Sequence, residues 1–290
     1  MDLLPCVRAA LNQEYDGTFE LIVIDDGTRN ESISLLETMP ATIIRKDRPR
    51  GWPDSVAIAA HKAQHDTLAF TDSDCIVPKN WLHMMSNCLE GRGIVTGNLD
   101  HGNAFSERFS HIFTHFHFAS DKPHVVEFLN DGNFGIRREL LNRCLVSFPA
   151  VAGMGGGAGA VVLSAIVRDM GIAVLLDPRI EVRHKSEDFL ESLRLWFSKY
   201  GPNTLGIRRF NPEAKGAGLL KLGFLAPLVF GAGRLLSDMS RFARSWKRFG
   251  FHRHELPLCV VWYSACAAAY LLGMLNYMKD VRKNETRRPV

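Results

Sequence analysis

Two short runs constrain this chain more than anything else in it. Glu20-Leu21-Ile22-Val23-Ile24 and Leu68-Ala69-Phe70-Thr71 are each of strand length and largely apolar, and each stops at paired carboxylates, Asp25-Asp26 and Asp72-Ser73-Asp74. An unbroken apolar run belongs to a strand covered on both faces, as in a sheet sandwiched between helices. The periodicity around the runs alternates accordingly. Leu3, Leu4, Val7 and Leu11 stand at helical spacing, residues 41–44 read as a strand, and a helix is expected from about 54 to 64 after the Gly51-Trp52-Pro53 break. Thr28, Arg29 and Asn30 supply a cap for another helix through Ile33, Leu35 and Leu36, and Trp81 follows Pro78 at a further helix start.

This alternation predicts an α/β fold with a mostly parallel sheet flanked by helices. In such sheets ligands bind at the C-terminal strand ends, where both acidic pairs fall. Two residues apart on an extended strand, Asp72 and Asp74 would point the same way and share a hard divalent cation. The plainer alternative for Asp-Ser-Asp is a solvated turn.

Among the 290 residues 46% are hydrophobic, enough for a sizeable core. Six dispersed cysteines form no Cys-x-x-Cys pair, which fits a reducing compartment and argues against a zinc cluster or a disulfide framework. Residues 1–10 lack the basic-then-apolar pattern of a secretory signal. The net charge of +4 is unevenly spread: residues 215–290 hold 13 Lys/Arg against 4 Asp/Glu, which leaves 22 against 27 before them. The basic surplus alternates with apolar stretches and with no nucleic-acid motif, a combination suited to an anionic membrane surface and not to nucleic acid.

Gln13-x-Tyr15, Glu20 to Thr28, Gly51, Ala69 to Asp74 and Trp81-Leu82 together resemble the nucleotide-binding half of the family 2 glycosyltransferases with the GT-A fold. The resemblance implies that Asp25 or Asp26 reads the base of a UDP- or GDP-linked sugar, with Asp72 beside the nucleotide. It also implies that Asp72 and Asp74 hold Mn²⁺ or Mg²⁺ on the diphosphate. Asn130 to Arg138 resembles the segment that contacts the donor sugar, which brings in Asn133, with Asp131 as a candidate catalytic carboxylate. His184 falls where the family often has a further metal ligand. The family begins with a strand ahead of its first helix and this chain begins inside that helix, so a start upstream of Met1 is expected. The implied organisation is a nucleotide-sugar half at 1–100, an acceptor half at 101–210 and a basic, apolar helical region at 211–290.

Three departures qualify this picture. The family's Glu-Asp pair, whose Asp is the general base, aligns with Gly159 and Ala160, and no carboxylate lies between Glu139 and Asp169. The Arg and Asn expected before the metal motif fall near Val56 and Ala57; Lys46, Arg48 and Arg50 are possible substitutes for the lost charge. Gly153-Met-Gly155-Gly-Gly157-Ala158 satisfies G-x-G-x-x-G/A on paper, with Asp177 ending a strand at 172–176, which gives a nicotinamide-dependent oxidoreductase as a third reading. Against it, Pro149 spoils the preceding strand. His111 and His115, four apart on an expected helix from Phe105 to Phe118, have no third ligand and read as structural.

After an amphipathic helix expected to end at Gly201-Pro202, two apolar stretches remain. Residues 222–233 are too short to cross a bilayer, and residues 256–278 are long enough, with basic residues flanking both. A hairpin, interfacial helices or a C-terminal anchor on the cytoplasmic face satisfies the flanks. The expected function is sugar transfer to the hydroxyl of a saccharide or lipid-linked acceptor, in polysaccharide or glycolipid synthesis. The alternative is an inactive nucleotide-sugar-binding or scaffold member of such a system.

Overall fold

The computed structural model describes residues 3–27, 36–147 and 156–286. The helix expected through Ile33 and Leu35 and the glycine run at 153–155 lie outside them. The chain divides into two units, Met1–His101 with His117–Lys185, and Gly102–Phe116 with Ser186–Val290.

The first unit opens with α1 (Leu4–Leu11), β1 (Ile22–Asp25), β2 (Thr42–Arg45), α2 (Trp52–Lys62), β3 (Thr67–Thr71) and β4 (Cys75–Ile76). It continues with α3 (Trp81–Leu89) and β5 (Ile94–Asp100), and its remaining strands are β6 (His124–Val126), β7 (Asn133–Arg137) and β8 (Val174–His184). Two helices, α5 (Arg138–Leu145) and α6 (Gly156–Asp169), lie between β7 and β8 in the chain. β1 and β2 form a parallel pair, and the larger sheet has the order β3-β7-β5-β8-β4 with β6 also on β8. Only β5–β8 is parallel in that sheet; β7 enters antiparallel between β3 and β5, and β4 and β6 join β8 antiparallel. The sheet is therefore mixed, where the alternation of strands and helices predicts a mostly parallel one. β1 and β3 do not pair with each other. A cavity of about 420 Å³ lies between them, lined by Ile22, Ile24, Leu68, Phe70 and, from α1, Val7 and Ala10, and it reaches Asp72 and Ser73.

β8 is a single eleven-residue strand where the sequence suggests a strand ending at Asp177 and a second beyond it. Its register on β5 jumps from Gly97↔Asp177 to Asn98↔Glu181, leaving 178–180 out of the ladder. Pro178, which has no N–H to donate, fits such a break. Asn133 repairs it: its Nδ2 donates to the Asn98 and Ile180 carbonyls at 2.9 and 3.1 Å, and its Oδ1 accepts from Trp81 Nε1 at 2.9 Å. Val95, Leu99, Leu176, Ile180 and Val182 then pack with Trp81, Met85 and Leu89 of α3 as the core.

The second unit comprises α4 (Phe105–Phe113), α7 (Phe189–Leu195), α8 (Gly201–Phe210), α9 (Ala226–Ser245) and α10 (Leu256–Thr286), with a 3₁₀ segment at Ala217–Leu225. α4 stops at Phe113, so His115 falls just beyond it, although its N–H still donates to the His111 carbonyl at 3.2 Å; the His111 ring meets Phe249 edge-on at 4.9 Å. The helix expected to end at Gly201-Pro202 continues through a π-turn, Trp196–Tyr200, into α8. Pro202 sits in the first turn of α8, where its missing N–H costs least. A side chain on Gly201 would meet the Tyr270 carbonyl and one on Gly273 the Phe197 carbonyl, so two glycines let α10 lie close against this helix.

A methyl group on Gly97 would land on the Ile180 carbonyl and the Asn133 amide. Gly97→Ala is therefore expected to cost about 3 kcal/mol or more, because backbone must move to admit it. Chemical denaturation monitored by circular dichroism checks this against the native chain.

Candidate active site

Asp72 and Asp74 are not on a strand. β3 ends at Thr71, and Asp72 to Cys75 form a turn closed by the Cys75 N–H donating to the Asp72 carbonyl at 3.1 Å. The turn is fixed from both sides. Cys75 pairs with His184 across β4 and β8, and the Lys185 N–H donates to the Asp74 carbonyl at 2.9 Å. The Cys6 thiol of α1 donates to the Ser73 carbonyl at 2.8 Å.

This pairing brings the C-terminal end of β8 to the acidic turn. His184 Nε2 lies 3.7 Å from Asp74 Oδ1, and Asp74, Cys75 and His184 each offer a ligand atom within 4.8 Å of the others. Burial, reinforced by Asp72 and Asp74, raises the Cys75 thiol well above its ordinary pKa, and soft sulfur is a poor match for a hard cation. The donors that remain, carboxylate oxygen and imidazole nitrogen, suit Mn²⁺ or Mg²⁺.

A second turn adjoins the first. Asn130 to Asn133 is closed by the Asn133 N–H to the Asn130 carbonyl at 3.2 Å, and Asn130 Oδ1 accepts from the Gly132 N–H at 3.1 Å. A Cβ on Gly132 would stand 3.1 Å from Cys75 Sγ and 3.5 Å from Asp72 Oδ2, which sets Asp131 one residue from the acidic turn. Behind both turns Phe70 stacks on Phe134 with ring centroids 4.6 Å apart, and Trp52 lies 6.0 Å from Phe134.

The first acidic pair divides its work. Asp25 ends β1 and is buried, with its carbonyl accepting from the Lys46 N–H at 3.0 Å. Asp26 accepts from the Arg50 and Gly51 backbone N–H groups at 2.9 Å each and from Lys46 Nζ at 2.8 Å. Burial works to raise the Asp26 pKa, but Lys46 and the two N–H groups outweigh it and hold it below the ordinary value. Lys46 also bonds Asp54 at 3.0 Å and Ser55 Oγ at 2.8 Å, and its side chain is 4% exposed. It organises this loop and offers no open charge to a diphosphate. Sequence reasoning missed that role; the signal was a lysine between two aspartates, Asp26 and Asp54, that needed a counter-ion.

Asn133 is fully buried, with both ends of its carboxamide bonded to Trp81, Asn98 and Ile180. At the positions aligned with the family's Glu-Asp pair, Gly159 packs so closely on Trp52 that a Cβ would stand 2.6 Å from the ring, and Ala160, in the place of the base, is buried. Asp177 is held by Arg179 through both oxygens, at 2.9 and 2.7 Å, which leaves it engaged where a dinucleotide reading needs it on a ribose.

Residues 2–145 match the model of glycosyl transferase family 2. A curated protein of Haemophilus influenzae, described as an uncharacterized glycosyltransferase, is 28% identical over 78 residues, and the match spans 26% of each chain. The chain thus covers about a quarter of that relative. GalNAc-T7, crystallised with UDP, GalNAc and Mn²⁺, superposes with a TM-score of 0.52 at 17% identity over 64% of this chain and 41% of its own. The mannosyltransferase PcManGT of Pyrobaculum calidifontis, in complex with GDP-Man and Mn²⁺, gives 0.53 at 15% identity over 99% of this chain and 84% of its own. The fold is of the GT-A kind. The family match over 2–145 and these neighbours together support a family 2-like glycosyltransferase.

Replacing Asn133 by Ala would strand two buried carbonyls and the Trp81 N–H, each worth about 1–3 kcal/mol. Asn133→Ala is expected to lower the melting temperature strongly while leaving nucleotide affinity of the folded fraction unchanged. Scanning calorimetry with and without UDP or GDP separates this from a role on the sugar, which would spare stability.

Proposed function

We propose that the protein transfers a sugar from a UDP- or GDP-linked donor to the hydroxyl of a saccharide or lipid-linked acceptor at the cytoplasmic face of a membrane. The observation that carries the reading is the acidic turn beside His184: two carboxylates and an imidazole at the C-terminal ends of β3 and β8. Asp72, Asp74 and His184 would hold Mn²⁺ or Mg²⁺, which when bound offsets the charge of the leaving diphosphate. Asp25 and Asp72 are assigned to the nucleotide. Asp26 serves by shaping the Arg50-Gly51 loop that faces it.

The acceptor hydroxyl must lose its proton as the new bond forms. Asp131, on the turn against Asp72, is the carboxylate we assign to that task. The two neighbours of similar fold carry UDP with GalNAc and GDP-Man, each with Mn²⁺, which supports a nucleotide-sugar donor and a metal here.

One observation favours a rival, a protein that binds the donor without turning it over: Ala160, in the place of the family's base, is buried and carries no acidic group. Asp72→Ala and Asp74→Ala are each expected to weaken Mn²⁺-dependent UDP or GDP binding by about tenfold or more, the scale of one lost charged ligand. Isothermal calorimetry reads this out, and unchanged binding in both variants rejects the site. Donor turnover with a panel of saccharide and lipid acceptors separates enzyme from binder, and its loss in Asp131→Asn with donor affinity retained is the result expected of a base.

A further inference from the structure

The second unit has a polarity reversed from that of a water-facing helical layer. On α9 the inward side chains carry the charge. Asp238 is 3% exposed and is held by Arg234 Nε and Arg241 Nη1, both at 3.1 Å, and by the Tyr263 hydroxyl at 2.9 Å. Arg234 also donates to the Phe113 carbonyl at 3.0 Å and lies 4.5 Å from the Trp196 ring centroid. Along the first two-thirds of α9 the outward side chains are mainly apolar: Leu228, Val229, Leu235 and Leu236 are exposed, the last at 72%, with Ser237 and Ser240 beyond them. Leu222, Phe224 and Leu225 extend this face through the preceding 3₁₀ segment, and Leu258, Val260, Val261 and Leu272 do the same on α10. Scattered exposed leucines need no explanation, but a continuous apolar face along neighbouring helices does.

What covers the face is indicated by the charges around it. Lys221 precedes the apolar run, and Arg244, Lys247 and Arg248 follow it on exposed positions at the end of α9. An apolar stripe bounded by basic residues matches hydrocarbon bounded by anionic headgroups.

Lying on the bilayer fits better than crossing it. The uncharged run 222–233 gives about 18 Å of helix at 1.5 Å per residue, short of a core of about 30 Å, and Arg234, Asp238 and Arg241 come next. The 23 uncharged residues of α10 are long enough, yet its inner face packs along its length on the continuous helix of α7, the π-turn and α8 through Tyr263, Tyr270 and Gly273. That helix carries Glu191, Arg194, Lys199 and Arg208, which a spanning α10 would draw into hydrocarbon.

We propose that α9 and α10 form a monotopic docking face for an anionic bilayer, with their apolar stripes immersed and neither helix crossing. The inference rests on the membrane location proposed above and is independent of the sugar chemistry.

The test adds the full chain to sealed vesicles of phosphatidylcholine, with and without phosphatidylglycerol, and measures flotation. Binding is expected to be about tenfold stronger with the anionic lipid, and Leu228→Asp with Leu236→Asp is expected to weaken it by at least about as much. The melting temperature and UDP or GDP binding of that variant should match the native chain. In parallel, a His252→Cys variant is treated with a membrane-impermeant maleimide from outside, with labelling of the native chain subtracted. Full labelling of the vesicle-bound protein is expected, since the loop between α9 and α10 stays on the side of addition. Protection of that thiol means that the helices cross, which overturns this inference and spares the membrane location. No binding to either vesicle overturns both.

Discussion

The first unit depends on one buried carboxamide. Asn133 spends both donors on the Asn98 and Ile180 carbonyls exposed by the register jump between β5 and β8, and its acceptor on the Trp81 indole. Each of those groups is deeply buried, where an unmet polar atom costs far more than a met one gains. The bonds therefore select the one register that satisfies them. That register decides where β8 ends, and its end carries His184 to the acidic turn.

The second half of β8 thus has two roles: it closes the sheet and it supplies an imidazole beside Asp74. The turn itself is closed through its backbone: the Lys185 and Cys75 N–H groups and the Cys6 thiol all donate to carbonyls of residues 72–74. Asp26 shows the opposite case, a carboxylate whose oxygens are taken up in shaping the Arg50-Gly51 loop. Similar residues at similar strand ends therefore have different chemical prospects, and only the hydrogen-bond partners tell them apart.

Much of the frame was legible in the sequence because it rests on local patterns. Apolar runs ending in carboxylates located β1 and β3, and the resemblance carried by Asp25-Asp26 and Asp72-Ser73-Asp74 pointed to the right fold. What was not legible depends on partners distant in the chain. Nothing near Asn133 in the chain shows that Trp81, Asn98 and Ile180 converge on it. For Asp72-Ser73-Asp74 both strand and turn were open; the turn is the outcome, and its anchoring on β8 comes from residues more than a hundred positions later. Pro178 and Pro202 both read as stops. A bulge absorbs the first and a π-turn accommodates the second, and both are tertiary solutions. On α9 the charges counted in the sequence gave the sign of the surface, while the structure shows that Arg234, Asp238 and Arg241 turn inward.

The central claim is that Asp72, Asp74 and His184 form one metal site that serves a nucleotide diphosphate. Its most direct test is a crystal structure with Mn²⁺ and UDP or GDP, with the ion located by anomalous scattering at the manganese edge. The account expects one strong peak in contact with Asp72, Asp74 and His184, with diphosphate oxygens on the same ion. A peak elsewhere, or a nucleotide bound away from the turn with no ion between them, would contradict it.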